Sequence, residues 1–382
     1  MKYNVEKMIA ELCPTGVLYC EMGKLAQIGT GKSNGNEAED NGEYPFFIRS
    51  PIVKRKNCYE YDEEAIIIPG EGGVGDIFHY INGKYALHQR VYRIHFTTKD
   101  VDTRFMYYYL SANFKVFIQR KAVNATVTSI RKPMIEQFPI PLPPLPIQQE
   151  IVRILDTFTN LTAELTAELT ARRKQYEYYR DELLTFGEDV PKVSLSELAR
   201  FTYGFTDKAK ETGDTRFIRI TDIDDNGNLR RSDAKYITLT EESRKYLLKK
   251  GDILLARTGA TYGKTLYIPD DTPAVFASFL IKIELDNSRI LNRYYWHFAK
   301  STQYWTQAEK YVSKAGQQQF NSKAVGRVLV PIPPLGVQQK IVDILDKFDK
   351  LCADIGDGLP DEIEARQRQY EYYRGQLLKF DN

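Results

Sequence analysis

The sequence predicts an α+β chain built twice over. Two similar mixed α/β globules alternate with two long helices that pair as an antiparallel coiled coil, a pseudo-two-fold internal repeat. Three observations predict it. A proline-led stretch from Pro141 to Leu161 (PLPPLPIQQEIVRILDTFTNL) recurs from Pro331 to Leu351 (PIPPLGVQQKIVDILDKFDKL), with 13 of 21 aligned residues identical at a displacement of 190. A second block, QYEYYR, stands at Gln175 to Arg180 and again at Gln369 to Arg374, displaced by 194. Within the first copy, apolar residues after the prolines recur every three or four positions, the mark of a helix with one apolar stripe. Self-similarity of this extent is a duplication.

Taken in order, residues 1–147 form the first globule. Met1 to Leu12 reads as a short helix and Cys20 to Ile28 as the start of a sheet. Strand-like runs follow at Tyr44 to Ile48, Ala65 to Ile68 and Gln89 to Phe96, and Phe105 to Ile118 reads as a helix covering the sheet. The polar run from Gly29 to Glu43 has the composition of an exposed loop. Residues 148–186 form the first long helix, 39 residues or roughly 58 Å if unbroken. Its stripe is Ile151, Ile154, Leu155, Phe158, Leu161, Leu165 and Leu169, continued by Tyr176 and Tyr179. A rod of that length needs a partner along it.

Residues 187–337 repeat the globular plan. Val193 to Phe201 parallels Glu21 to Ile28, Arg216 to Ile223 parallels Tyr44 to Ser50, and Gly251 to Ala260 parallels Glu63 to Gly72. Asn292 to Lys310 reads as the second aromatic-bearing helix. Residues 338–382 form the second long helix, with Ile341, Ile344, Leu345, Phe348, Leu351, Tyr370 and Tyr373 on its stripe. Gly356-Asp357-Gly358-Leu359-Pro360 predicts a break near 356–360, with Pro360 starting a new segment.

Chain totals narrow the function classes. At 382 residues there is room for two or three cores, and 42% apolar with 27% charged residues is the composition of an ordinary soluble protein. No run of eighteen apolar residues exists and the start lacks a signal-peptide core, so a cytoplasmic location without a membrane is expected. The four cysteines show no C-x-x-C spacing and read as reduced thiols. A net charge of +2 neither requires nor excludes nucleic acid, and 26 tyrosines suit large contact surfaces.

Catalytic signatures fail one by one. Gly70 to Gly75 fits G-x-G-x-x-G, but strand-like sequence follows where a dinucleotide site needs a helix. Gly259 to Thr265 has three residues between its glycines where a P-loop has four. The Pro-Pro pairs are followed by Leu145 and Leu335, unlike a methyltransferase box. The D/E-x-K match at Asp233 to Lys235 reads as solvated surface, and the four histidines form no ligand spacing. No catalytic residue and no metal ligand is expected.

The LPPL-x-x-QQ-x-IV-x-IL-D modules, the QYEYYR-x-x-LL-x-F helix ends and TAELTAEL at Thr162 to Leu169 resemble the DNA-specificity subunit of type I restriction–modification enzymes, the type IC branch in particular. The resemblance covers the whole chain, strongly in the helices and weakly in the globules. It implies two target-recognition domains, each reading one half of an asymmetric bipartite site in double-stranded DNA, joined by paired helices that set the gap. It also implies docking of two methyltransferase subunits and, beyond them, two translocase-endonuclease subunits. S-adenosylmethionine, ATP and magnesium would belong to those partners and no cofactor to this chain. A helix of this length can span the roughly 34–36 Å between modules that read one face of a duplex.

Bases are read by Arg, Lys, Asn and Gln, and phosphates are held by these and by Ser and Thr. In the first globule the candidates are Arg49, Lys54, Arg55, Lys56, Thr126, Thr128, Ser129 and Arg131. In the second they are Arg257, Thr258, Tyr262, Lys264, Gln317, Gln318, Gln319, Asn321 and Lys323. The stripe residues and the QYEYYR tyrosines are expected to serve helix pairing and methyltransferase docking. The competing reading is a duplicated protein-interaction adaptor that never meets DNA.

Overall fold

In the computed structural model, which describes residues 2–73, 75–121, 129–224, 226–230, 232–313, 318–353 and 359–380, the chain folds as two units. The first comprises residues 1–164 with 363–382, and the second residues 165–362. The division falls inside the long helices rather than at their ends.

The first unit opens with α1 (Lys2–Leu12), β1 (Tyr19–Glu21) and β2 (Ala26–Thr30). There follow β3 (Tyr44–Phe47), β4 (Lys54–Lys56), β5 (Tyr61–Pro69), β6 (His79–Leu87) and β7 (Val91–Phe96). Five of these and β4 make one six-stranded sheet in the order β2-β7-β5-β6-β3-β4. Its pairs are antiparallel apart from the parallel β3–β6 pair. Ile66, Ile67 and Ile68 of β5 are fully buried, as a central strand covered on both faces requires. Helix α2 (Thr103–Lys121) carries Phe105, Tyr108 and Phe114 into the core. After α3 (Lys132–Glu136) and β8 (Pro139–Pro141), which pairs with β1, the chain enters α4 (Leu145–Leu183).

The second unit contains β9 (Lys192–Ser194), α5 (Leu195–Leu198), β10 (Ala199–Tyr203), β11 (Thr215–Ile218), β12 (Tyr236–Ile237), α6 (Glu241–Arg244), β13 (Ile253–Ala256), β14 (Thr265–Tyr267), β15 (Ala274–Phe276) and β16 (Leu280–Leu285). These form sheets in the orders β10-β16-β13-β14 and β12-β11-β15. Then come α7 (Asn292–Phe298), α8 (Thr302–Tyr311), α9 (Ser322–Gly326), β17 (Leu329–Pro331) and α10 (Leu335–Ala353), and last α11 (Leu359–Leu377), which from residue 363 on belongs to the first unit.

Two details differ from the sequence reading. Ile66 faces Ile94 as Ile253 faces Ile283, which aligns β5 with β13 at 187 residues rather than the 188 implied by matching 63–72 to 251–260. A run apolar at every position has no alternation to fix its register. The expected helix at 292–310 is two helices, because Ser301 caps α8, its Oγ accepting the Tyr304 amide at 3.2 Å.

Each globule grips its helix in the same way. Gln148 is fully buried at the start of α4. Its Oε1 accepts the Asp102 amide at 2.8 Å, and its Nε2 donates to the carbonyls of Asp100 (2.8 Å) and Pro143 (2.7 Å). Gln338, 190 residues on and equally buried, accepts from Leu291 (2.9 Å) and donates to Arg289 (2.9 Å) and Pro333 (2.8 Å). Two turns further, Asp156 takes Arg104 Nε at 3.1 Å and the Tyr108 hydroxyl. Asp346 likewise takes Arg293 Nε and His297 Nε2, each at 2.7 Å. Burial pushes the His297 imidazole down to about 4, so at neutral pH it is uncharged and packed against Tyr176.

The helix–helix contacts repeat too. In the first unit Phe158 stacks on Tyr373, centroids 5.2 Å apart at 19°. In the second, Phe348 stacks on Tyr179 at 5.3 Å and 22°. Ile151, Ile154, Leu155, Ile341 and Leu345 are buried, Leu169 is buried and Leu161 and Leu165 are half-buried. Ile344 departs from the expected seam: it is 41% exposed. The Leu351 side chain, and Gly356 to Gly358 of the expected break, lie outside the described residues. Helix α11 has Pro360 as its second residue, a position where a missing N–H leaves no helix bond unmade.

Gln148→Met keeps the bulk of the side chain but strands one amide and two carbonyls. It is expected to lower stability by about 2–4 kcal/mol, and Gln338→Met by a similar amount. Urea unfolding of each variant checks this; a loss within error of zero would show that water replaces the lost bonds.

Candidate nucleic-acid interface

At one edge of each globule three segments meet on a common backbone frame. In the first globule these are the end of β5 at Gly70-Glu71, the β6–β7 turn at His88 to Arg90, and Ser129-Ile130 ahead of α3. Gly70 donates to the Arg90 carbonyl at 2.9 Å, Ile130 donates to the Gly70 carbonyl at 2.7 Å, and Glu71 bridges to Ser129. In the second they are the end of β13 at Arg257 to Gly259, the β15–β16 turn at Ala277 to Phe279, and Gln318 to Asn321 ahead of α9. Arg257 donates to Phe279 at 3.1 Å, Phe320 donates to Arg257 at 2.8 Å, and Thr258 bridges to Gln319.

The side chains on this frame differ. In the first globule Glu71 sits between two guanidiniums, 3.0 Å from Arg49 Nη1 and 2.9 Å from Arg90 Nη1. The hydrogen bond from Arg90 holds its carboxyl below the usual carboxylate range. Both arginines keep about half their surface open to solvent. Glu71 satisfies part of each fork, and the remaining N–H groups can donate to base edges or phosphates. Gly72 has φ +73°, which lets the strand end turn tightly past this cluster.

In the second globule Arg257 is half-buried and lies between two rings. Its guanidinium carbon is 5.2 Å from the Tyr203 centroid and 5.6 Å from that of Phe279, and Nε donates to the Ser278 carbonyl at 3.0 Å. Phe279 is 51% exposed and Tyr203 40%. A ringed arginine beside an open phenylalanine offers π faces and apolar contact, chemistry suited to a thymine methyl or an unstacked base step.

The remaining candidates separate. Lys56 is turned inward, holding Ser33 Oγ at 2.7 Å and Glu37 at 2.5 Å. Arg55 donates to the carbonyls of Gly42 and Glu43. Both lie on β4, in which Lys54 and Arg55 are exposed and Lys56 is half-buried. Arg131 is exposed at the N-cap of α3. Thr258 is buried, and Tyr262 packs on Trp305 and Phe320. Lys264 is half-buried, its carbonyl accepting the Ala256 amide at 2.9 Å, and its side chain lines a partly open cavity. Gln319 and Lys323 are exposed, while Asn321 uses its Oδ1 to cap α9 through the Ala324 amide at 3.1 Å. Thr126, Thr128 and Gln317 lie outside the described residues. Arg90, Glu71, Tyr203 and Phe279 were missed by sequence reasoning; the 187-residue register, which sets Gly70 against Arg257, would have pointed to them.

Among the described residues no group of His, Cys, Asp and Glu could hold a metal ion, and no helix is long and apolar enough to cross a membrane.

Comparison with known proteins agrees with the duplication. A family model described as the type I restriction modification DNA specificity domain matches residues 17–172 and again 187–365. A Haemophilus influenzae protein provisionally designated a type I restriction enzyme specificity subunit is 34% identical over 359 residues, 89% of each chain. The Escherichia coli type I restriction enzyme EcoR124I/EcoR124II specificity subunit is 35% identical over 294 residues, 72% of this chain and 70% of its own. In fold, the S subunit of a type I restriction–modification system from M. genitalium aligns with a TM-score of 0.63 over 96% of each chain at 16% identity.

The two edges are expected to respond separately. Arg90→Ala should relax base preference in one half of the target and Arg257→Ala in the other, each weakening DNA binding by about 1–3 kcal/mol. Sequencing methylated sites made with each variant reads this; loss spread evenly over both halves would show that the edges are not the readers.

Proposed function

This chain belongs to the type I restriction–modification DNA specificity family, and we propose that each of its globules reads one half of an asymmetric bipartite site in double-stranded DNA. The observation that carries the division of labour is the shared edge with unlike contents: Arg49, Glu71 and Arg90 on one frame, Tyr203, Arg257 and Phe279 on the other. Two copies of one reader would recognise a palindrome; two frames with different side chains suit two different half-sites.

In this reading residues 1–147 and 187–337 are the target-recognition domains, and 148–186 with 338–382 are the spacer. The spacer helices pair as an antiparallel coiled coil about a pseudo-two-fold axis, for which the matched stacks Phe158–Tyr373 and Phe348–Tyr179 are the support. The chain is non-catalytic. Methylation with S-adenosylmethionine belongs to two methyltransferase subunits docked on the helices, and ATP- and magnesium-dependent translocation and cleavage to two further subunits. Tyr178 and Tyr372, 194 residues apart and 64% and 58% exposed, support such docking: a large ring left open at both copies of one position is what a partner would cover.

Setting of the gap falls to α4. One TAEL unit is four residues, about 6 Å of rise and about 40° beyond a full revolution. Deleting Thr166 to Leu169 is expected to change the gap between half-sites and to leave each half-site sequence intact. The measurement is a methylation-site survey after pull-down with a methyltransferase subunit. Altered half-sites at the old gap would refute the ruler, and absence of any sequence preference in the assembled complex would favour the adaptor.

A further inference from the structure

In the first globule residues 48–53 join β3 to β4 and form a turn whose tip is apolar. Pro51, Ile52 and Val53 are all exposed, Ile52 by 72% and Val53 by 39%. Single exposed apolar residues are ordinary. Two adjacent β-branched side chains at one tip, with exposed Arg49 before them and exposed Lys54 after them, are a more particular arrangement.

The tip is held in place and stands at the reading edge. His79 Nε2 lies 3.4 Å from the Ser50 carbonyl, the Ser50 hydroxyl accepts the Ile52 amide at 3.1 Å, and Pro51 fixes its own φ. Arg49 is tied to Glu71 at 3.0 Å. A Cβ added to Gly72 would lie 3.5 Å from the Arg49 carbonyl. The turn therefore springs from the cluster that holds Arg49, Glu71 and Arg90.

The duplicated frame does not require such a tip. His88 donates to the Phe47 carbonyl at 3.0 Å as Ala277 donates to that of Ile218 at 2.9 Å, so β3 corresponds to β11, and by pairing β4 corresponds to β12. The second globule makes the same connection with residues 219–235, and that segment turns back on its own globule. Asp222 is buried against Arg219 at 2.9 Å, and a Cβ added to Gly227 would lie 2.6 Å from the Thr265 carbonyl. Its open apolar group at the edge is Phe279, 51% exposed beside Arg257, and the matching position in the first globule is Arg90. Each edge thus sets one exposed apolar group next to an arginine, drawn from different turns.

We propose that Pro51, Ile52 and Val53 form an apolar wedge that enters duplex DNA at a pyrimidine–purine step beside the half-site read by the first globule. The wedge partly unstacks that step while Arg49 and Lys54 face the flanking phosphates. Aliphatic side chains act in this way in groove-binding proteins, and TA and CA steps yield most readily. DNA is the partner that fits, because the tip carries cations on both sides and is continuous with the guanidiniums of the edge. The proposal rests on the assignment of one half-site to each globule and adds a contact that reads deformability rather than base edges.

The test uses the full chain assembled with a methyltransferase subunit, on a duplex bearing the site found by the methylation survey. The half-site that Arg90→Ala relaxes is the one to probe. 2-Aminopurine is placed in turn at its adenines and at the positions flanking it, the methylated adenine excepted. A rise in emission at one pyrimidine–purine step is expected with the natural chain and with Ile52→Val/Val53→Ile, which exchanges the two side chains. In Ile52→Ser/Val53→Ser the rise is lost and binding to the same duplex is about tenfold weaker. No rise at any position, or an equal rise in the serine variant, overturns the wedge. So does a serine variant that no longer co-purifies with the methyltransferase subunit, which would make the tip a protein contact. A complex that selects its sites but unstacks nothing removes the wedge alone; a complex with no sequence preference removes the reading beneath it as well.

Discussion

A single buried amide governs how this chain is assembled, and it is used twice. Gln148 and Gln338 each join three pieces of backbone that are distant in sequence or unable to bond one another: the loop leading into the first core-packing helix (α2 or α7), the proline run, and the first turn of the long helix. Prolines cannot supply the N–H that would otherwise fix the junction, so a side chain must. Of the side chains, a primary amide alone offers one acceptor and two donors without charge. A glutamate here would bury a charge and lose both donations. The direction in which each helix leaves its globule therefore rests on an uncharged fork with every bond made.

That constraint explains which parts of the two halves are alike. Residues that hold helix to globule or helix to helix recur in pairs: Gln148 and Gln338, Asp156 and Asp346, Phe158 and Phe348, Tyr179 and Tyr373. Each serves the internal geometry of its own half. Residues at the edge make none of these holding contacts, and they diverge: Glu71 against Thr258, Arg90 against Phe279. The backbone bonds between the same three segments remain, so chemistry can change there without moving the frame. Separation of a fixed frame from a variable edge is in keeping with the proposal that one fold serves two different targets.

The same separation decided what could be read from the sequence. The helices were legible because a stripe of period three to four and repeated Pro, Gln and Asp leave few alternatives. The edges were not. The strands leading to them, Ala65 to Ile68 and Ile253 to Ala256, are apolar throughout, and a register cannot be taken from a run with no alternation. Polar residues were overvalued for their type alone: Lys56 is turned inward onto Ser33 and Glu37, Arg55 bonds the carbonyls of Gly42 and Glu43, and Asn321 caps a helix. Phe279 passed unnoticed because an exposed phenylalanine and a buried one look the same in a sequence. Only the turn that carries it shows the difference.

Ile154 and Ile344 give that limit its sharpest form. They are the same residue at the same place in the repeat, yet one is fully buried and the other 41% exposed. Leu145 and Leu335, and Ile147 and Val337, differ in the same direction. In the first unit Val5 of α1 joins the cluster that holds Ile147, Ile151 and Ile154, and Asn4 of α1 reaches Glu150 at 3.4 Å. The duplication does not supply a second copy of that helix: the residues that lead into β9, as α1 leads into β1, are the last turns of α4 itself. The open stripe on α10 thus follows from how the repeat is joined rather than from a weaker sequence. An apolar stripe left open by topology at a fixed place is the kind of surface a docked subunit can use, and it fits the proposal that the helices serve partners as well as each other.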